Sequence, residues 1–509
     1  MSIFLILSNG PGLYGIAAVV LLGVSLASVP VPFTRSAYHL TELHEKYGQF
    51  VRYGPDKLSI TAEEAVPLIY QRGGNNMPKT EFYDAYGAKI PNVFGMRDEN
   101  MHSIRRRHMS HSFSMFYIKG MEQYLDENMA ILCDNVAGFA KTGEVIDLKK
   151  ALHYYVIDVL GELAFSQSFG IQITDDESRV PPVVEHSLLS VVTGAWPAMT
   201  STLRKWFPVV PHPSLKALFK GRSDCATLAS QCVQRRLKDL EGVAEDAKDQ
   251  RKDILTNLIL ATHPDTGERL EQHGLEAEAF GFIIAGTHTT SATTALLFHH
   301  LLHVPDIMSK CVAEIDQNLG PLAGDSVYSV TEAETSLPFV RQCIRENFRL
   351  TPVFTMPLAR RVMAPEGIVI AGHHIKQGTS VAICNHSFHH NPLIWGEDRN
   401  VFNPDRWEVP EIAQRARYLM HSGLGGRQCV GNTVAQTNIY KLVSTLLRRF
   451  NFQLADSEER ERSARGEFVG KLPEMISVGI SDLKHPLMVR ARVRDMAKAK
   501  TSGRIDRCK

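Results

Sequence analysis

The tightest constraint on this chain lies toward its C-terminal end, in SGLGGRQCVGNTVAQ, residues Ser422 to Gln436. Gly423, Gly425, Gly426 and Gly431 crowd around Cys429, and an apolar helical run, Val434 through Leu447, follows at once. Glycines this dense let backbone N–H groups approach a sulfur closely, and a helix starting behind it presents the positive end of its dipole. Both favour the thiolate, the form of cysteine that binds metal or acts as a nucleophile. Arg427 is a ready partner for a nearby anion. Two plainer readings share the pattern: a phosphate-binding loop, and a flexible turn holding a buried cysteine.

The other seven cysteines, at 133, 225, 232, 311, 343, 384 and 508, form no CxxC pair and are too sparse for a disulfide-stapled scaffold. They read as ordinary thiols. The histidines show no HExxH or zinc spacing. With 56 Lys+Arg against 55 Asp+Glu, the net charge of +1 lacks the broad positive field that nucleic-acid phosphates require. Hydrophobic residues at 44% exclude a chain disordered throughout. Length alone, 509 residues, would divide into about three domains.

No charged residue precedes Arg35. Leu13 to Val29, LYGIAAVVLLGVSLASV, is at the short end of what spans a bilayer, and SNGPG interrupts an earlier apolar patch. A signal peptide would carry positive charge ahead of the apolar run, and none is present. A buried core helix is the remaining alternative. Pro30 and Pro32 end the run abruptly, as a hinge would. The expectation is one N-terminal transmembrane helix and hinge over 1–34. Beyond it, helical periodicity dominates (Met121 to Ala140, Ala151 to Phe165), with short strand signals near Phe50 to Ile60 and Gly367 to Val381. The basic tail, 495–509, is expected to be disordered. The fold class is mainly α with a small β-sheet region.

SGLGGRQCVG resembles, with one departure, the FGxGxRxCxG signature of the cytochrome P450 family of heme-thiolate monooxygenases. Three more of the family's motifs occur in its order: AGTHTT (Ala285 to Thr290), ENFR (Glu346 to Arg349) and FNPDRW (Phe402 to Trp407). HSIRR, from His102, with Phe113 eleven residues on, resembles the helix that reaches a heme propionate. The resemblance spans roughly 45 to 490, implying a single cytochrome P450 fold over 35–494 in place of three domains.

The resemblance implies heme b as cofactor, with Cys429 as the iron ligand. Thiolate ligation favours O–O cleavage. It implies propionate partners His102, Arg106, Arg360 and Arg427, anions requiring cationic or N–H donors. Arg360 is chosen over Arg361, although Ala359 stands where the family has Pro. Glu346, Arg349 and Arg406 are implied as a buried ion-pair network. Arg105 and Arg107, flanking the His102 helix, are expected to face outward and to help dock an acidic redox partner, or simply to be solvated. Thr289 takes the place of the family's oxygen-activating threonine, able to hold water and pass protons. His288 replaces the family's acid and is a candidate proton relay, since histidine titrates near neutrality. Ser422 replaces the usual Phe beside the sulfur.

The implied pocket comes from Lys89 to Met96, the distal helix, Val353 to Pro357 and Leu472 to Val478. Phe282, Ile283, Val353, Phe354, Met356, Met475 and Ile476 make it apolar, which implies a lipophilic small-molecule substrate. The resemblance further implies a separate NADPH-dependent cytochrome P450 reductase, a single-pass location in the endoplasmic reticulum membrane with the body facing the cytoplasm, and no nucleic acid. The expected reaction is insertion of one oxygen atom, by hydroxylation or epoxidation, in polyketide, terpenoid or alkaloid biosynthesis. Alternatives are an oxygen-independent heme-thiolate isomerase or dehydratase, a benzoate para-hydroxylase-like aromatic hydroxylase, and a non-catalytic heme sensor.

Overall fold

The computed structural model describes residues 36–71, 77–87, 90–241, 253–263, 265–324 and 326–494. The expected anchor, the basic tail, Lys89 and most of the polar stretch 241–253 lie outside them. Among the described residues no helix is long and apolar enough to cross a membrane.

The helices that position the site are α1 (Glu99–Ser110), α2 (Glu122–Thr142), α3 (Leu148–Phe165), α4 (Val183–Gly194), α5 (Pro213–Leu240), α6 (Gln272–His303), α7 (Pro338–Leu350) and α8 (Asn432–Arg449). Their starts follow local chemistry. Asp98 caps α1 by accepting from Met101 N, Asp147 caps α3 by accepting from Lys150 N, and α5 and α7 open on Pro213 and Pro338. The Pro-rich segment Phe207 to Pro213 thus holds a short 3-10 turn and then starts a long helix. Helix α6, 32 residues and about 48 Å long, is buried on nearly all sides. It packs on α3, α4, α5, α7 and α8, which explains why its apolar residues lie around its whole circumference rather than in one stripe.

The sheets are small. Phe50–Gly54 and Lys57–Ile60 form a hairpin, Ser380–Ala382 runs parallel to the latter, and Arg360–Arg361 closes the sheet. Met488–Val493 lies between Ile146–Asp147 and Phe450–Leu454. Met475–Ser477 pairs with Ser481–Leu483, and Ile368–Ile370 with His373–Ile375. One hydrophobic core reaches from Met109 to Ala491, and a smaller one lies under the four-stranded sheet. Residues from both halves of the chain share that main core, so the three-domain count suggested by length does not hold for the described body.

Candidate functional site

A cavity of about 360 Å³ opens between α6 and the cysteine loop. Along α6 its wall is a stripe at helical spacing: Glu278, Gly281, Phe282, Ala285, Thr289 and Thr293. Cys429 lines the same cavity, with Ser422, Gly423, Arg427 and Gln428. Among the described cysteines it alone is exposed, and the surface it exposes faces this cavity; the other six are buried.

The loop is held by close packing. Gly425 has φ +66°, and a Cβ there would lie 2.1 Å from Tyr70 O, so only glycine fits. Cys429 N donates to Ser422 O at 2.8 Å. Burial raises the Cys429 thiol pKa, opposed by the backbone N–H of Gly431, the charge of Arg106 and the backbone N–H of Asn432. The Ser422 hydroxyl donates to Asn432 Oδ1 at 2.9 Å.

Six basic side chains among the described residues line the cavity, and four of them, His102, Arg106, Arg427 and Lys79, act on one another electrostatically. Lys79 was not legible from sequence. Its backbone bridges to that of Arg360, which brings a fifth cation alongside. Arg106 donates to Gln428 O. Arg427 pairs with Glu99 at 2.8 Å and donates to Met96 O. Arg360 is buried and donates to Tyr83 Oη at 3.1 Å, whereas Arg361 pairs with Asp56 and Glu81 nearer the surface. His102 is pushed down to about 3, first by burial and then by Arg427, Lys79, Arg106 and Arg360. Burial and the same arginines hold the Lys79 ammonium well below its ordinary value. A concentration of cations this strongly self-repelling calls for an anion, and the two carboxylates of a heme fit it.

Glu346 and Arg349 are fully buried and bidentate, with Nη2–Oε1 at 2.8 Å and Nε–Oε2 at 3.0 Å. Arg406 Nε reaches the same Oε1 at 2.8 Å, and its Nη2 pairs with Asp398 at 2.9 Å. Asp398 is a member that no motif announced. Arg349 also donates to the carbonyls of His389 and Arg399.

Several expectations are corrected. Ile283 lies one residue off the lining stripe and is packed in the core. Met475 joins the main core and Ile476 is 41% exposed, because it is the hairpin turn, Val478 to Ile480, that reaches the cavity. Phe282, Val353, Phe354 and Met356 do line it. Arg105 faces inward, not outward: it forms a buried ion pair with Glu278 at 2.9 Å. His102, three residues earlier, is on the same helical face and was the available signal. Arg107 is exposed as expected.

Thr289 lines the cavity and its Oγ1 donates to Ala285 O at 2.8 Å. The adjacent His288 does not line it. Its Nε2 meets Asp482 Oδ2 at 2.9 Å, and Lys149 Nζ meets the same oxygen at 2.8 Å. Burial opposes ionisation of Asp482, but His288 and Lys149 outweigh it and hold its carboxyl below the ordinary value. His153, edge-on to His288 at 5.6 Å, is pushed down to about 4 by burial and by His288.

Comparison with known proteins agrees with this geometry. Residues 28–479 match the model of the Cytochrome P450 family. The chain is 30% identical to the Cytochrome P450 monooxygenase gsfF of Penicillium aethiopicum, over 85% of this chain and 89% of that one. It is 28% identical to the Benzoate 4-monooxygenase bphA of Aspergillus niger, over 86% of each. It is also 28% identical to the Cytochrome P450 monooxygenase asR2 of Sarocladium schorii, over 88% of this chain and 92% of that one. The cysteine loop, the cationic cavity and the match over most of the chain lead to one conclusion: this protein belongs to the cytochrome P450 family, an oxidoreductase of the monooxygenase type with heme b ligated by the Cys429 thiolate.

Proposed function

We propose that this chain hydroxylates or epoxidises a lipophilic small molecule in a fungal specialised-metabolite pathway, taking electrons from a separate NADPH-dependent reductase at a membrane. The observation that carries the reading is the shared cavity: Thr289 and the small Ala285 and Gly286 line it together with Cys429, Phe282, Val353, Phe354 and Met356. Small residues and a hydroxyl on that face support oxygen activation over an oxygen-independent rearrangement. The thiolate-ligated heme, when bound, supplies dioxygen reduction and oxygen-atom transfer.

The chain's own residues take the remaining roles. His102, Arg106, Arg360, Arg427 and Lys79 would hold the propionates. Glu346, Arg349 and Arg406, with Asp398, brace the proximal side. Thr289 Oγ1 holds a water at the distal wall. His288 Nε2, through Asp482 and Lys149, connects that helix to the outer surface and supplies protons in place of the usual acid. Residues 1–34 serve as the membrane anchor of the 35–494 body.

A second reading, an aromatic hydroxylase, is favoured by the similarity to the Aspergillus benzoate 4-monooxygenase. Co-expression with a reductase in a host fed candidate metabolites tests both. A product heavier by one oxygen, dependent on reductase, supports the proposal, and its carbon skeleton separates the two readings. Product formed without reductase overturns it.

A further inference from the structure

The cavity is apolar near Thr289 but carries polar groups that nothing above uses. Asn92 lines it and is 6% exposed. Its Oδ1 accepts from Gly95 N at 2.9 Å, which fixes the amide so that Nδ2 points the other way. That Nδ2 has no hydrogen-bond partner among the described residues. It packs over Gly281 of α6, where a Cβ would meet it at 2.8 Å. Glycine at 281 therefore leaves room for the amide against the helix.

Ser187, on α4, lines the same cavity and is buried from outside, and its hydroxyl has no partner among the described residues either. Next to it His186 also lines the cavity, edge-on to Phe280 at 4.9 Å. Its Nδ1 faces the guanidinium of Arg222 at 3.2 Å, which can only donate, so the proton sits on Nε2. That N–H has only a long contact, 3.5 Å, with Ser190.

The turn carrying Asn92 is clamped in place. Glu278 accepts from Val93 N at 3.0 Å and pairs with Arg105, so loop, α1 and α6 meet at one carboxylate. Asn92 and Ser187 both line the cavity, so each offers a free donor to whatever occupies it.

We propose that Asn92 Nδ2 and Ser187 Oγ, with His186 beside them, form a donor subsite for a carbonyl oxygen of the substrate, which is therefore an uncharged lipophilic ketone, lactone or quinone-like ring system. A carbonyl has two lone pairs and accepts from both donors. The cation beside them, Arg222, does not line the cavity and directs its N–H groups to His186 Nδ1 at 3.2 Å and Gly87 O at 2.7 Å, so a carboxylate is the poorer occupant. The inference rests on the monooxygenase reading above and specifies the substrate class of that site.

The test uses heme-loaded full-length enzyme and matched pairs differing only in the carbonyl: fluorenone and fluorene, 1-tetralone and tetralin, anthrone and 9,10-dihydroanthracene. Dissociation constants are read from the Soret shift. The ketone of at least one pair is expected to bind about tenfold more tightly than its hydrocarbon. Ser187→Ala and Asn92→Asp, the latter keeping the acceptor for Gly95 N while losing the donor, are each expected to reduce that preference to about twofold. Equal affinities in the wild type, a preference surviving both variants, or no shift with any of the six compounds overturns the proposal. The reduced CO adduct is recorded in each case. A red-shifted thiolate band with no ketone preference sinks the subsite alone, whereas absence of that band sinks the parent reading.

Discussion

The imidazole of His288 and the carboxylate of Asp482 meet at 2.9 Å, although 194 residues separate them in sequence. The carboxylate belongs to the C-terminal hairpin, the imidazole to the middle of the distal helix. Lys149 binds the same oxygen, so the three make a continuous polar track beside the distal helix. Asp482→Asn and His288→Phe are each expected to lower product formed per NADPH about tenfold, with excess peroxide released. Full coupling in both variants would remove the track from the reaction.

Breaking the buried Glu346–Arg349–Arg406 network leaves an unpaired charge in the core. Glu346→Ala and Arg406→Ala are each expected to cost about 3–5 kcal/mol in a denaturant titration. Lys310→Ala, which removes the exposed pair with Asp405 at 3.1 Å, is expected to cost less than about 1 kcal/mol.

Lys79 is a buried cation among cations. Lys79→Met should stabilise the heme-free protein by about 1–4 kcal/mol, since an apolar side chain of similar length replaces a charge held against its neighbours. The same variant should lose heme faster to a scavenging globin. A heme-free protein that is no more stable would count against the repulsion.

Ser422 ties its hydroxyl to Asn432 rather than shielding the sulfur with a ring. Ser422→Phe is expected to lower the heme reduction potential by excluding water from the thiolate. A redox titration gives the answer, and an unchanged potential would show that the position is neutral.

Acid should destabilise this protein steeply. Burial pushes His186 and His300 down to about 3 and His386 to about 4, with Arg222 adding to the effect on His186 and His303 on His300. Each folded value lies below the unfolded one near 6.5, so the neutral form stabilises the fold above that pH. That contribution is lost as pH falls from 6.5 toward 4, at up to about 1.4 kcal/mol per pH unit per histidine. Urea midpoints at pH 7 and pH 5 measure it, and His386→Gln should flatten the slope.

The parts of the site that a reader of the sequence could find are those with local spacing. Cys429 sits among glycines, Glu346 and Arg349 are one helical turn apart, and Thr289 lies in a run of small residues. Lys79, Asp398 and Asp482 have no such mark, because their partners come from other elements and an isolated Lys or Asp is ordinarily a surface residue. Ile283 and Phe282 are equally apolar, and only the rotation of α6 decides which faces the cavity and which the core. The fold class was legible because helical periodicity is strong in α2 and α3, while the short strands depend on pairings such as Lys57 with Ser380, far apart in the chain.

Asn92 and Glu278 fasten the loop to α6 beside Gly281, and Thr289, the proposed oxygen-activating residue, lies eight residues further along the same helix. Eight residues of helix span about 12 Å. On the proposed roles of Asn92 and Thr289 the helix acts as a ruler: a substrate gripped by its carbonyl would present for oxidation a carbon whose position that interval sets. Regiochemistry is then set by the molecule's length rather than by the intrinsic strength of its C–H bonds, and congeners extended by one ring would be attacked at a different atom.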